Sequence, residues 1–70
     1  VVLIQAVDNH HTQLVGWLGT TVPQKGARLE VGDPSKTYQV KHVVWSPIPA
    51  EKRTSMDSPE AIVTLVCRKI

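Results

Sequence analysis

The sequence predicts an all-β fold: a small, five-stranded, partly closed barrel with one long loop at residues 46–58. Three observations lead there. Short β-branched apolar segments recur along the 70 residues, among them Val1-Val2-Leu3-Ile4, Val43-Val44-Trp45 and Ile62-Val63-Thr64-Leu65-Val66. Such residues fit a pleated, half-buried surface. Gly and Pro break these segments apart at Gly19, Gly26, Gly32, Pro34, Pro47 and Pro49, where strands must turn or stop. The fourth segment is long and loses its alternation midway, as a strand does when it bends around a small core. A chain of this length makes a single domain, residues 1–70.

Taken in order, residues 1–7 are apolar on both alternating faces, the pattern of a strand covered twice. Asp8-Asn9-His10-His11 reads as a turn, because Asp and Asn bond their own backbone and tolerate left-handed geometry. Residues 13–18 return as a second strand. Residues 19–26 form a loop, and Ala27-Arg28-Leu29-Glu30-Val31 alternates cleanly as a third strand. Gly32-Asp33-Pro34-Ser35-Lys36 is a hairpin turn, with Pro presetting its first dihedral.

Residues 37–45 are the fourth strand. Tyr38 and Val40 share one face, whereas Val43 and Trp45 share the other. One extra residue near Lys41-His42 restores a common face, so a β-bulge is expected there. Pro47 and Pro49 end the strand. The last segment carries a conflict. Ser58-Pro59-Glu60 is a good helix start, yet Ile62, Val63, Thr64 and Val66 are β-branched and favour a strand. The strand reading is preferred.

Composition narrows the function. Cys67 is the only cysteine, so an internal disulfide is impossible. A lone Cys in an apolar strand is usually a small buried hydrophobe, and the pattern fits a reducing, cytoplasmic setting. The apolar start lacks the length and basic lead of a signal segment, and the missing initiator Met points to a processed or trimmed N-terminus. No run of apolar residues is long enough to span a bilayer as a helix. Eight Lys and Arg against six Asp and Glu leave a net charge of only +2, a weak pull toward an anionic partner.

The candidate chemistry is sparse. His10, His11 and His42 lack chelating spacing, since adjacent residues on a strand or tight turn point apart, so no metal site is expected. Cys67 beside Arg68 and Lys69 reads as a structural thiol rather than a nucleophile. Asp8, Asp33, Glu51, Asp57 and Glu60 lie mainly in turns and loops, without the deep pocket that would tune a carboxylate for acid catalysis. Residues 32–36 lack the spacing of a phosphate loop. The chain is therefore expected to be no enzyme, with no catalytic residues, no cofactor and no small-molecule substrate.

The spacing Tyr38-x-Val40-x-x-Val43-x-Trp45 after the Gly-Asp-Pro turn resembles short SH3-like barrels, including small ones encoded by phages and plasmids. The likeness covers residues 26–45 and transfers no functional residue. It implies a protein or nucleic-acid adaptor.

The residues themselves support two readings. In the first, the chain self-associates or binds a protein through an apolar outer face formed by Val2, Ile4, Ile62 and Val66. The 46–58 loop adds Ile48, with Lys52 and Arg53 as polar rim contacts. An exposed edge strand pairing with a partner strand is a further route to the same end. In the second, Lys25, Arg28 and Lys41, with Arg68 and Lys69, join Trp17, Tyr38 and Trp45 in a single-strand nucleic-acid site, where each stacked base contributes about 1–3 kcal/mol.

Overall fold

The computed structural model describes residues 1–32, 34, 36–53 and 58–70. Asp33, Ser35, Asp57 and most of the apex of the expected long loop lie outside them. Five strands are present: β1 (Val2–Val7), β2 (Gln13–Gly19), β3 (Arg28–Val31), β4 (Lys36–Pro47) and β5 (Ala61–Lys69). They form one curled half-barrel sheet in the order β2-β1-β5-β4-β3. The only helical element among the described residues is a single 3-10 turn, Ala50–Lys52.

The two segments that read as apolar on both faces, β1 and β5, lie side by side in the middle of the sheet. They pair in parallel, with Ile4 opposite Val63 and Ala6 opposite Leu65. Strands flanked on both edges expose only their faces, and side chains alternate between those faces. Ile4, Ala6, Val63, Leu65 and Cys67 point to the inner, core face with Val40 from β4. Ile4, Ala6, Val40, Val63 and Leu65 are wholly buried. Val2, Leu14, Trp17, Val22, Ala27, Leu29, Tyr38 and Val43 pack around them. Residues 58–60 do not start a helix. They lead into β5, where the β-branched run follows its strand preference.

The bulge expected near Lys41-His42 is present. Val40 pairs with Cys67 and His42 with Val66, so Lys41 has no residue opposite it. That inserted residue puts Tyr38, Val40 and Val43 on one core face despite the broken alternation. A second irregularity was not foreseen. Ala6 pairs with Val15 but Val7 with Gln13, which leaves Leu14 as the extra residue and lets it reach the core alongside Trp17.

One boundary moved. β4 runs on through Ser46 and Pro47, which pair with Ile62 and Ala61, so the long connection begins later than expected. Pro47 is tolerated because this end of β4 has β5 on one side and no strand on the other, and a Pro that lacks an N–H suits a free edge. The β1–β2 turn is present and Asp8 bonds its backbone as expected, but the left-handed residue is His11 rather than Asp8 or Asn9. The Asp8 carboxylate accepts from the N–H groups of His10 at 2.8 Å and Thr12 at 2.9 Å. His11 takes the left-handed conformation, with φ 63°.

Deleting Lys41 should turn either Tyr38 and Val40 or Val43 away from the core. Each buried large apolar side chain contributes about 1.5–3 kcal/mol, against a net stability of ~3–5 kcal/mol for a domain this small. The deletion is expected to abolish cooperative urea unfolding followed by Trp fluorescence, while Lys41→Ala keeps it. A deletion variant that unfolds as wild type does would show that the extra residue does not set the phase.

Candidate interaction surfaces

The alternation that buries Ile4 and Val63 puts their neighbours on the opposite face. Register places Leu3, Gln5 and Val7 of β1 beside Ile62, Thr64 and Val66 of β5. Leu18 of β2 lies opposite Leu3. His42, Val44 and Ser46 of β4 lie opposite Val66, Thr64 and Ile62. On this outer face two apolar pairs, Leu3–Ile62 and Val7–Val66, flank a polar one, in which Gln5 Nε2 donates to Thr64 Oγ1 at 3.1 Å. Leu3, Ile62 and Val66 are half-buried, while Leu18 is 59% and Val44 48% exposed.

The quartet expected to make the contact face is therefore split. Ile62 and Val66 are on the outer face. Ile4 is fully buried in the core, and Val2 packs against that same core. Parity decides this: in a parallel pair that sets Ile4 beside Val63, the outward residue of β1 is Leu3. Leu3, Leu18 and Val44 take the places assigned to Val2 and Ile4. Ile48 is half-buried, and its N–H donates to the Glu60 carbonyl at 2.9 Å. Lys52 and Arg53 are exposed at the 3-10 turn, which their own N–H groups close onto the Pro49 and Ala50 carbonyls.

The second candidate set is also divided between faces. Trp17 and Trp45 end one cross-strand row, Trp17–Ile4–Val63–Trp45, on the core face. Tyr38 is on that face too, opposite Leu29 and packed on the core. Lys25 is exposed in the turn before β3. Arg28 lies opposite Gln39, which lies opposite Arg68, on the other face. The bulged Lys41 donates from Nζ to Gln39 Oε1 at 3.1 Å. Gln39, Lys41, Arg68, Lys69 and Ile70 line a shallow groove of about 290 Å³. Cations thus gather at one end of the sheet, Arg28 and Arg68 on the face away from the rings and Lys69 opposite Tyr38 on the rings' own face, while Trp17 and Trp45 lie in a different row. The fold does not assemble them into one stacking platform.

The remaining reactive groups are scattered. His10 and His11 are exposed at the β1–β2 turn, and His42 is exposed on the outer face. Cys67 is 1% exposed on the inner one. Its Sγ donates to the Leu65 carbonyl at 3.5 Å, and burial pushes the thiol pKa up. No group of three or more His, Cys, Asp or Glu among the described residues is placed to hold a metal ion. No helix among them is long and apolar enough to cross a membrane.

No family model, curated protein or solved structure matches this chain. The surfaces must speak for themselves.

Two titrations check this geometry. The Cys67 thiol should be inert to an aromatic disulfide reagent at neutral pH in the native protein and react fully in denaturant. Rapid native reaction would place it outside the core. The Asp8 carboxyl is held below its ordinary value of 3.8. The Thr12 N–H bond is the largest cause, opposed by partial desolvation and aided by the His10 N–H and the two nearby His charges. Because the folded value is the lower one, the turn's contribution to stability is present above 3.8 and is lost as pH falls through the folded value. A carbon-detected NMR titration should find the Asp8 midpoint below 3.8, and a midpoint at or above it would contradict the bonds.

Proposed function

We propose that this chain is a non-enzymatic interaction module that contacts a protein, including a second copy of itself, through the outer face of its sheet. One observation carries the reading. A single sheet curls around a single core, and four of the six outward residues of β1 and β5, Leu3, Val7, Ile62 and Val66, are apolar with no described helix packed on them. A surface of that kind meets another molecule more often than it meets water. Leu3, Leu18, Val44, Ile62 and Val66 form it, and Lys52 and Arg53 are proposed as polar rim contacts from the connection that follows β4. A stable interface takes about 800 Å² from each partner, a modest share of the 5015 Å² that this small molecule exposes.

The separation of Cys67 from all three His residues, with the thiol closed in the core, supports a binding role over thiol chemistry. The reduced, buried thiol also supports a cytoplasmic setting, as a proposal.

The groove at Gln39, Lys41, Arg68 and Lys69 favours a second reading, in which phosphates of a nucleic acid run along this end of the sheet. Its cations form no ion pair among the described residues. Against it, Tyr38 is the one ring beside these cations, opposite Lys69, and it packs on the core, so base stacking would add little to those phosphate contacts.

Salt separates the two. Sedimentation velocity over a wide concentration range, at low and high salt, should show self-association that survives high salt. A single-stranded oligonucleotide should be bound weakly or not at all. A monomeric protein that binds the oligonucleotide tightly at low salt and releases it steeply as salt rises would reverse the order of the readings.

A further inference from the structure

The free edge of β4 offers a more definite contact than the face alone. Val40 donates its N–H to the Ala27 carbonyl at 2.9 Å and accepts from the Gly26 N–H at 2.8 Å, so its backbone points toward β3. Ile48 donates to the Glu60 carbonyl, so its backbone points toward β5. Strict alternation would aim residues 40 and 48 to the same side. The bulged Lys41 reverses the sense between them.

Counting back from Ile48, the backbones of Ser46, Val44 and His42 face β5. Those of Val43 and Trp45 therefore face outward. Pro47 faces outward as well, where its missing N–H costs nothing. The β3 side of β4 is covered only as far as Val40. The outward N–H and C=O groups of Val43 and Trp45 make no hydrogen bond to that side among the described residues. Val44 is 48% and Trp45 53% exposed on this bare stretch. None of residues 42–46 is Lys, Arg, Asp, Glu or Pro, the usual guards of a sheet edge.

We propose that this edge pairs antiparallel with the same edge of a second copy, with the two-fold axis at Val44. The proposal rests on the interaction-module reading and names its partner and register. Val43 then lies opposite Trp45 of the second copy, and Trp45 opposite its Val43. Each pair exchanges two hydrogen bonds, so every outward N–H and C=O of both residues is satisfied. Val44 meets its own counterpart in the close, non-hydrogen-bonded position, with Cα atoms about 4.5 Å apart.

His42 meets Ser46, and no charge of like sign is opposed. Moving the axis to Trp45 would set the Val43 carbonyl against the ring nitrogen of Pro47 and leave that carbonyl unbonded. The free stretch is thus self-complementary in one register, which an unrelated strand need not match. The result is a continuous ten-stranded sheet that covers Val44 and Trp45 and joins the outer faces of both copies.

The test is charge complementation at the axis. Val44→Lys and Val44→Glu are made separately, with folding verified by circular dichroism. Sedimentation equilibrium should find the wild type dimeric, each variant monomeric, and their equimolar mixture dimeric again, with that recovery weakened by salt. Trp45→Pro is the companion variant. It removes one outward N–H without touching the β5 ladder, and it should be folded and monomeric. A wild type that associates while the Lys and Glu mixture stays monomeric would overturn the edge pairing and leave the interaction-module reading in place. A wild type that is monomeric at its highest soluble concentration would overturn the edge pairing and remove self-association from that reading, with binding of another protein still to be judged on its own.

Discussion

One residue without a partner organises this molecule. Lys41 sits in β4 with nothing opposite it in β5, and a strand's side chains and backbone groups both alternate with a period of two. A single insertion therefore reverses both sequences at once. On the side-chain level it recovers Val43 for a core that already holds Tyr38 and Val40. On the backbone level it turns Val43 and Trp45 toward the open edge. The same local event thus decides which side chains join the core and which backbone groups face the edge that β3, ending its cover at Val40, leaves open.

The central position of β1 and β5 follows from the same economy of surface. A sheet of five strands has three interior positions, and these two segments carry the most continuous apolar runs. Pairing them in parallel sets Ile4 beside Val63 and Ala6 beside Leu65, which fills the core with apolar side chains, and no polar or charged residue is buried among the described residues. The cost appears on the other face. Leu3, Ile62 and Val66 are raised there by the same alternation, softened only by the Gln5–Thr64 hydrogen bond.

Much of this was legible in the residues. The strand segments, the Asp8 turn and the bulge each depend on local chemistry: β-branching, a carboxylate within reach of the next N–H groups, and a break in a two-residue period. The split of the expected contact quartet was not legible in the same way. Val2, Ile4, Ile62 and Val66 are all apolar and each has an apolar neighbour on the opposite face, so composition could not say which two of them face inward. The misjudged start of the long connection has a similar origin. Pro47 reads as a stop signal unless it is known that its side of β4 carries no neighbour. The irregularity at Leu14 left no mark, because Leu14, Val15 and Leu18 with Trp17 offer apolar side chains in either phase.

The sequence by itself determined an all-β chain, the places where it turns, and the need for one extra residue in its longest strand, because these rest on interactions between near neighbours. Only the tertiary structure decided that β1 and β5 lie together at the centre, that Leu3 rather than Ile4 faces outward, and that β3 stops short and leaves residues 42–46 with no described strand on that side. Those outcomes depend on which strand lies beside which, and pairing between residues as far apart as Ile4 and Val63 is set by the joint packing of the whole sheet rather than by any segment alone.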